Sequence, residues 1–479
     1  MEEIIKFANS LIWSNVFIGL CLCTGLFFTL KTGFVQIRYF RHMIKLLFTE
    51  GSSEQGVSPF QAFSIAIAGR VGVGNIVGVA TAIAAGGPGA IFWMWAIAFL
   101  GSASAFIEST LAQIYKVEKN GMFCGGPAFY IEKGLKSKKF AVAFSIITII
   151  SCVIFLPSIQ SNSIAVSINQ AFQVPTWITG IGTCILLAFT VFGGAKKIGK
   201  IAQVVVPFMA SAYIIMALII IAFNIQEVPA IFGLIFRSAF NMEAAFSGVF
   251  GAAIAWGVKR GIYSNEAGQG TAPHAAAAAE TSHPVKQGLV QAFSVYVDTL
   301  FVCTATALMI LFTNQYNVID EAGTYIVHNL PDTDAGAAFT VKAIATHFPS
   351  FASQFIAIAL TFFAFTTIMS YVFIAESNFD YLSKQKNIIL RWAMRVLILL
   401  TVFNASIQEA SKAWEIGDIG VGAMAWMNII AILILQKPAM LALKDYVAQR
   451  KKGLDPIFKP KELGIDNASE VWNKYHPHK

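Results

Sequence analysis

The sequence predicts an all-α polytopic membrane protein of about eleven transmembrane helices, ten of them in two five-helix sets of inverted topology behind one extra N-terminal helix. Three observations carry this. The 479 residues are 56% hydrophobic and only 13% charged, with a mean hydropathy of +0.65, a composition that excludes a soluble multidomain enzyme. Apolar runs of membrane-spanning length recur along the whole chain, separated by short polar loops. Two of the spans are interrupted by glycine-rich polar stretches, and each interrupted span opens one half of the chain.

The N-terminus has two acids and one lysine before its apolar run and no small-residue cleavage site, so the first span, Trp13 to Leu30, is read as retained. Lys31 to Glu50 places Lys31, Arg38, Arg41 and Lys45 among apolar residues, the pattern of an amphipathic helix on the membrane surface. The next span, Pro59 to Ala85, is interrupted at Gly69-Arg70-Val71-Gly72-Val73-Gly74-Asn75. Its two apolar halves are each about half a bilayer long, so the glycines fall near the midplane. An unwound turn at that depth is tolerated only where protein or a bound solute satisfies its backbone. The alternative is a glycine-rich helix packed closely on a neighbour, and Arg70 argues against it because a midplane charge is functional by default.

Spans follow at Gly89 to Tyr115, Phe140 to Ala171, Trp177 to Phe192 and Ile201 to Phe223, the last two joined by a basic GGAKKIGK turn. A polar connection, Asn224 to Glu243, leads to Ala244 through Trp256, which at about 20 Å is too short to span alone. Its interruption is expected at Gly257-Val258-Lys259-Arg260-Gly261, ahead of an alanine run ending at Ala279. The remaining spans are Leu289 to Phe312, Phe351 to Ser377, Ile388 to Phe403 and Ile419 to Leu435, before a short, basic, featureless tail. This divides the chain into 1–57, a first repeat 58–223, a second repeat 224–436 and a tail 437–479.

The formal net charge of +8 does not indicate nucleic acid, because the basic residues lie in short loops between spans. With the tail inside, 27 of 34 Lys and Arg fall on its side, four on the other (Lys6, Arg237, Lys342, Lys412) and three within interrupted spans. The expected topology is N-terminus outside and C-terminus cytoplasmic. Five of the six cysteines sit singly inside apolar segments, and the seven histidines form no metal or nucleophile constellation, so no enzyme is expected.

After the first interruption comes GGPGAIFWMW (Gly86 to Trp95), followed at helical spacing by Gly101, Phe106, Glu108 and Tyr115. With VGVGNIVGVATAI (Val71 to Ile83), CGGPAFYIEKGL (Cys124 to Leu135) and GVKRGIYSNEAGQGTAP (Gly257 to Pro273), this ordered string resembles the alanine or glycine:cation symporter family over most of the chain. The resemblance implies a leucine-transporter-like fold of five-plus-five inverted repeats in a bacterial-type inner membrane. It also implies Na⁺-coupled uptake of a small neutral amino acid, with no cofactor beyond the coupling ion. A H⁺-coupled or glutamine-type symporter is the alternative reading, and an amino-acid sensor a remote one.

Within that frame, half-helix N-termini suit a carboxylate and unwound carbonyls suit an ammonium or a cation. Gly72, Val73, Gly74 and Asn75 are assigned to the carboxylate, with Gln160 of LPSIQSNS as either a substrate contact or an interhelical hydrogen bond. Trp256 is either a wall or lid of the site or lipid-facing packing, and Gly257 lies at the expected second interruption. The resemblance implies a Na⁺ site between carbonyls of Ala68 and Val71 and the hydroxyls of Thr366 and Thr367; a threonine pair otherwise bonds back to its own helix. Arg70 takes the place of a first Na⁺, and either meets the substrate carboxylate or pairs with a buried acid such as Glu266. Glu108, Glu266, Asp298 and Glu376 are read as pairing with bases or capping helices, with Lys259 and Arg260 as partners.

Overall fold

Lipid offers no partner for a backbone N–H or C=O, so the apolar runs fold as helices that satisfy themselves. The computed structural model describes residues 2–49, 56–119, 121–191, 194–383, 388–465 and 467–474. Helices α1 (Glu2–Ile12) and α2 (Asn15–Lys31) form a first span that begins at Glu3 rather than Trp13. It packs tightly on a later helix: a Cβ at Gly25 would lie 2.8 Å from Cβ of Leu100. Short α3 (Val35–Arg38) and α4 (Phe40–Thr49) form the amphipathic segment.

The first set of five comprises α5 (Pro59–Arg70) with α6 (Val77–Gly86), then α7 (Gly89–Ile114). A hairpin, β1 (Val117–Lys119) and β2 (Met122–Cys124), and α8 (Pro127–Leu135) fill the basic loop. A wide π-helical turn at Ser151–Phe155 joins α9 (Lys138–Ile150) to α10 (Leu156–Phe172), and α11 (Thr176–Val191) and α12 (Gly194–Phe223) complete the set. Because α12 begins at Gly194, most of the basic GGAKKIGK stretch is its first turns and not a loop.

In the second set, α13 (Val228–Ala239) is a helix within the polar connection, followed by α14 (Phe250–Asn265) and α15 (Ala272–Ala278). Next come α16 (Pro284–Tyr296) and α17 (Thr304–Phe312), joined by a π-helical turn at Val297–Cys303. A hairpin, β3 (Asn317–Ile319) and β4 (Tyr325–His328), leads to α18 (Ala337–Ala345), α19 (Ala352–Ser383), α20 (Ile388–Ser406) and α21 (Ala410–Ile434). Eight of these helices or joined pairs are long and apolar enough to span. With α5–α6, α11 and α14–α15 they make eleven among the described residues. Both sets open on an interrupted helix, and because five is odd the second set runs in the opposite sense to the first.

The second interruption is not where the glycines of GVKRG suggest. Helix α14 continues unbroken through them, and the chain leaves helical geometry at Glu266–Thr271, where Glu266, Gly268 and Gly270 have φ of 54°, 79° and 89°. Gly257 and Gly261 serve close packing on α7 instead. A Cβ at Gly257 would lie 2.5 Å from the carbonyl oxygen of Ala90, and one at Gly261 would lie 2.4 Å from Ile97. Glycine permits both close approach and left-handed backbone, and here the two uses fall ten residues apart.

The tail is not featureless either. Helix α22 (Gln436–Lys451), a 3₁₀ turn at Pro460–Leu463 and α23 (Val471–Lys474) fold back over the tail-side ends of α7 and α16. Phe458 N–H donates to Ser282 O, Ser469 N–H to Ile114 O and Trp472 Nε1 to Gln113 O. On the same side Val57 pairs with Ala279, its N–H donating to Ala278 O at 3.0 Å while Glu280 N–H donates back to Val57 O at 3.1 Å. That bridge ties the start of α5 to the end of α15.

His283 links these parts. Its Nδ1 accepts Val285 N–H at 3.2 Å as the cap of α16, which leaves Nε2 to donate to Asp445 of α22 at 3.2 Å. Burial pushes its pKa below the ordinary 6.5, with Asp445 opposing. A depressed histidine contributes stability that is full above the unfolded value and lost as pH falls below it. Thermal stability in detergent is therefore expected to fall on acidification from pH 6.5 to about 5, and His283→Asn, which keeps an acceptor for the cap, is expected to flatten that slope. An equal slope in both proteins would remove His283 from the docking of the tail.

Candidate functional site

Helix α5 starts cleanly, with Ser58 and Gln61 forming a reciprocal capping box and Pro59 in the first turn. It ends at Arg70. Val71 and Gly72 are non-helical, a single 3₁₀ turn covers Val73–Asn75, and α6 resumes at Val77. The freed donors are met by side chains: Gly72 N–H by Asn75 Oδ1 at 2.8 Å and Val73 N–H by Gln160 Oε1 at 3.1 Å. Asn75 O accepts from Thr306 Oγ1 at 2.7 Å. The glycines here are demanded by space, since neither Gly72 nor Gly74 has a positive φ. A Cβ at Gly72 would stand 2.6 Å from Thr367 Oγ1 and 3.1 Å from Gln160 Oε1, and one at Gly74 would stand 2.9 Å from the Tyr263 ring.

Thr367 of α19 faces the end of α5. Its Oγ1 lies 2.9 Å from Ala68 O, 3.3 Å from Val71 O and 2.9 Å from Phe363 O. One hydroxyl proton serves at most one of these carbonyls, so four hard oxygens converge where a small cation is better suited than a proton. Thr366 points elsewhere. Its Oγ1 lies 3.0 Å from both Phe362 O and Phe363 O and 3.9 Å from Met209 Sδ of α12. Neighbours on a helix are about 100° apart, and here it is the Thr367 hydroxyl that reaches the end of α5, while Thr366 shares only Phe363 O with it.

The second interruption is held by acids. Glu108 of α7 accepts Gly268 N–H at 3.2 Å and Asn428 Nδ2 at 2.6 Å, while Asn428 also donates to Gly268 O at 2.9 Å. Asp298, carried by the π-helical turn after α16, accepts from Asn75 Nδ2 at 2.6 Å, Ser264 Oγ at 2.9 Å and Thr299 Oγ1 at 2.7 Å. It thereby joins the two interruptions. Glu266 accepts from Thr271 Oγ1 at 2.7 Å. Arg70 does not pair with it: one nitrogen of the guanidinium donates to Gln291 O at 3.2 Å and to Ser294 Oγ, and among the described residues it makes no ion pair.

Above the site, Lys259 and Arg260 of α14 both bind Asp418 of α21, at 2.6 and 2.8 Å. Arg260 lies over the rings of Trp414, Trp256 and Tyr263 at 4.6, 5.0 and 5.7 Å. The sequence had offered these bases to intramembrane acids and passed over Asp418.

Comparison with known proteins decides what such an arrangement belongs to. A family model described as the sodium:alanine symporter family matches residues 1–460. The chain belongs to that family. It is 56% identical, over all of its length and 99% of the relative's, to the putative sodium/proton-dependent alanine carrier protein YrbD of Bacillus subtilis. It is 51% identical to a sodium/proton-dependent alanine carrier protein of Bacillus sp. strain PS3, covering 90% of this chain and 98% of that one. It is also 39% identical to the sodium/alanine symporter AgcS of Methanococcus maripaludis, covering 94% and 97%.

In this family member the structure brings Ala68, Val71, Gly72, Val73, Gly74, Asn75, Gln160 and Thr367 around one buried locus. Thr366 reaches Phe363 O but not α5, and Gly257 lies against α7. Trp256 joins the aromatic and cationic group around Arg260. Phe363 O and Asp298 are the members that sequence reasoning missed as site residues. A carbonyl leaves no mark in a sequence, but Asp298 was a lone acid in an apolar span, which is itself a signal. Alanine at Gly72 or Gly74 is expected to lower substrate binding by at least about tenfold, because the added carbon meets Thr367 or Tyr263. Equilibrium binding to purified protein of normal yield measures this, and unchanged affinity in both variants would show that the neighbours give way.

Proposed function

We propose that this protein is a Na⁺-coupled symporter that carries a small neutral amino acid of the alanine or glycine type into the cell by alternating access. The observation that carries the reading is the convergence of Ala68 O, Val71 O and Phe363 O on Thr367 Oγ1, beside the unwound backbone at Gly72–Gly74. Na⁺ takes those four oxygens as ligands. The substrate carboxylate takes Val73 N–H and its neighbours, displacing Gln160 Oε1, whose amide then turns its NH₂ toward the carboxylate. Asn75 supports the turn, since Gly72 N–H and Asp298 already engage both ends of its amide. The names of the alanine carriers and the alanine symporter among its relatives favour alanine as substrate.

Alternating access needs a closure on each side. The Val57–Ala279 bridge is the inner one, and the Arg260–Asp418 pair with the Tyr263 and Trp414 rings, 5.1 Å apart, is the outer one. Trp256 belongs to the outer lid. The lysine and arginine asymmetry of the loops supports a cytoplasmic tail and an external N-terminus. Residues 58–223 and 224–436 are the two repeats, with 1–57 added before them and 437–479 after.

Arg70 supplies a fixed positive charge close to the unwound segment, so a second cation is not needed there and one Na⁺ accompanies each amino acid. Uptake of labelled alanine, glycine, serine and glutamine into proteoliposomes, with Na⁺ and pH gradients imposed separately, tests substrate and ion together; uptake driven only by the pH gradient would overturn the Na⁺ reading. Thr367→Val keeps the shape and removes one ligand, so its half-saturating Na⁺ concentration is expected to rise at least about tenfold. Thr366→Val is expected to change it by less than about threefold, and equal effects of the two would contradict the assignment of the site to Thr367.

A further inference from the structure

We infer that Glu266 is the counter-charge of the coupling cation, and that Arg70 takes the cation's place beside Glu266 when the carrier returns empty. The inference rests on the Na⁺ site proposed above. The ligands of that site, three carbonyls and a hydroxyl, are all neutral, so the ion's charge must be balanced from outside the ligand shell.

Three acids lie buried around the two interruptions, and two are already occupied. Glu108 is held by Gly268 and Asn428, and Asp298 by Asn75, Ser264 and Thr299. Glu266 is the least engaged of the three: it is only 2% exposed, Oε2 takes Thr271, the Tyr371 hydroxyl stands beside the carboxylate, and Oε1 has no close hydrogen bond among the described residues. It stands against Gly69, the residue that follows the ligand Ala68. A Cβ at Gly69 would lie 3.3 Å from Glu266 Oε2 and 2.9 Å from Ser370 Oγ, one helical turn along α19 from Thr367. A side chain there would crowd both.

Arg70 is the next residue after Gly69 and is in the complementary condition. It is 2% exposed, and while Nη1 is bonded to α16, Nε and Nη2 have no partner among the described residues. Glu266 thus packs against Gly69, Arg70 follows that glycine in the chain, and among the described residues the two form no ion pair. A buried charge without a partner is strongly destabilising. In the loaded carrier the cation supplies the partner for Glu266. Once it leaves, the tethered guanidinium can use its spare N–H groups on Glu266, so the empty carrier crosses without an exposed charge deficit. No proton or electron transfer is involved.

The test separates net uptake, which needs the empty carrier to return, from exchange at saturating Na⁺ on both sides, which does not. Glu266→Gln is expected to raise the half-saturating Na⁺ concentration for alanine uptake by at least about tenfold. Arg70→Gln is expected to cut net uptake by at least about tenfold while exchange changes by less than about threefold, and Arg70→Lys, which keeps the charge but not the fork, to fall between Arg70→Gln and the unaltered protein in net uptake. The double variant, lacking both charges, is expected to regain net uptake relative to Arg70→Gln with weak Na⁺ dependence. An unchanged Na⁺ requirement in Glu266→Gln, or proportional loss of exchange and net uptake in Arg70→Gln, would overturn the inference. Should Arg70→Gln not yield monodisperse protein, the double variant and Arg70→Lys decide: a double variant that exchanges but shows no net uptake refutes the exchange of partners. Thr367→Val tells the two failures apart. Normal Na⁺ dependence there refutes the site itself, whereas a raised requirement there with a normal one in Glu266→Gln refutes only the counter-charge.

Discussion

Interrupting a helix deep in a membrane frees backbone N–H and C=O groups where no water can take them, and the rest of this molecule is arranged around meeting that demand twice. At Gly72–Asn75 the partners are Asn75, Gln160 and Thr306, and at Glu266–Thr271 they are Glu108, Asn428 and Asn265. These partners come from α7, α10, α17 and α21, so each interruption fixes several helices at once. Asp298 connects the two, taking Asn75 from one side and Ser264 from the other. One carboxylate therefore bonds to both interruptions.

Such a carboxylate is carried by an irregularity of its own. The π-helical turn at Val297–Cys303 widens the helix between α16 and α17, and the similar turn at Ser151–Phe155 precedes the stretch bearing Gln160. Wide turns of this kind rotate the side chains beyond them relative to a regular helix, and they recur at functional sites. In both repeats one of the helices that supply polar side chains, that of Gln160 in the first and that of Asp298 in the second, departs from regular geometry, while α7 and α19 remain regular.

How much of this was legible depended on whether a residue type had one physical use or two. The first interruption was readable because three glycines, an arginine and an asparagine have no business in an apolar span except to open it. The second was placed ten residues early because glycine also serves close packing, and Gly257 and Gly261 do that against α7 while Gly268 and Gly270 make the turn. Thr367 was found with Thr366 attached, since a sequence gives adjacency and not azimuth. Arg260 and Asp418 are 158 residues apart, and no local pattern announces a pair that forms only through the fold. The ordered tail went unseen for the same reason: Ser282, Ile114 and Gln113, which hold it, lie far away in sequence.

The extra N-terminal helix acquires a purpose from the outer ion pair. Trp13 Nε1 donates to Asp418 O at 2.9 Å, Asn9 Nδ2 to Glu415 O at 2.6 Å, and Trp426 Nε1 to Ile12 O at 2.9 Å, so α1 and α2 are fastened to α21. Arg260 rides on α14, which leads directly into the second interruption. The pair thus joins a helix fastened to the N-terminal segment to one that ends at the second interruption. On the gating reading proposed above, separating it exposes Asp418 and its two bases, Lys259 and Arg260, which water accepts and the apolar interior does not. Closure in turn restores the cation over Trp256, Trp414 and Tyr263, an attraction that grows as water leaves. As the proposed outer gate, such a group would have open and closed arrangements each stabilised by its own surroundings and a half-open one stabilised by neither.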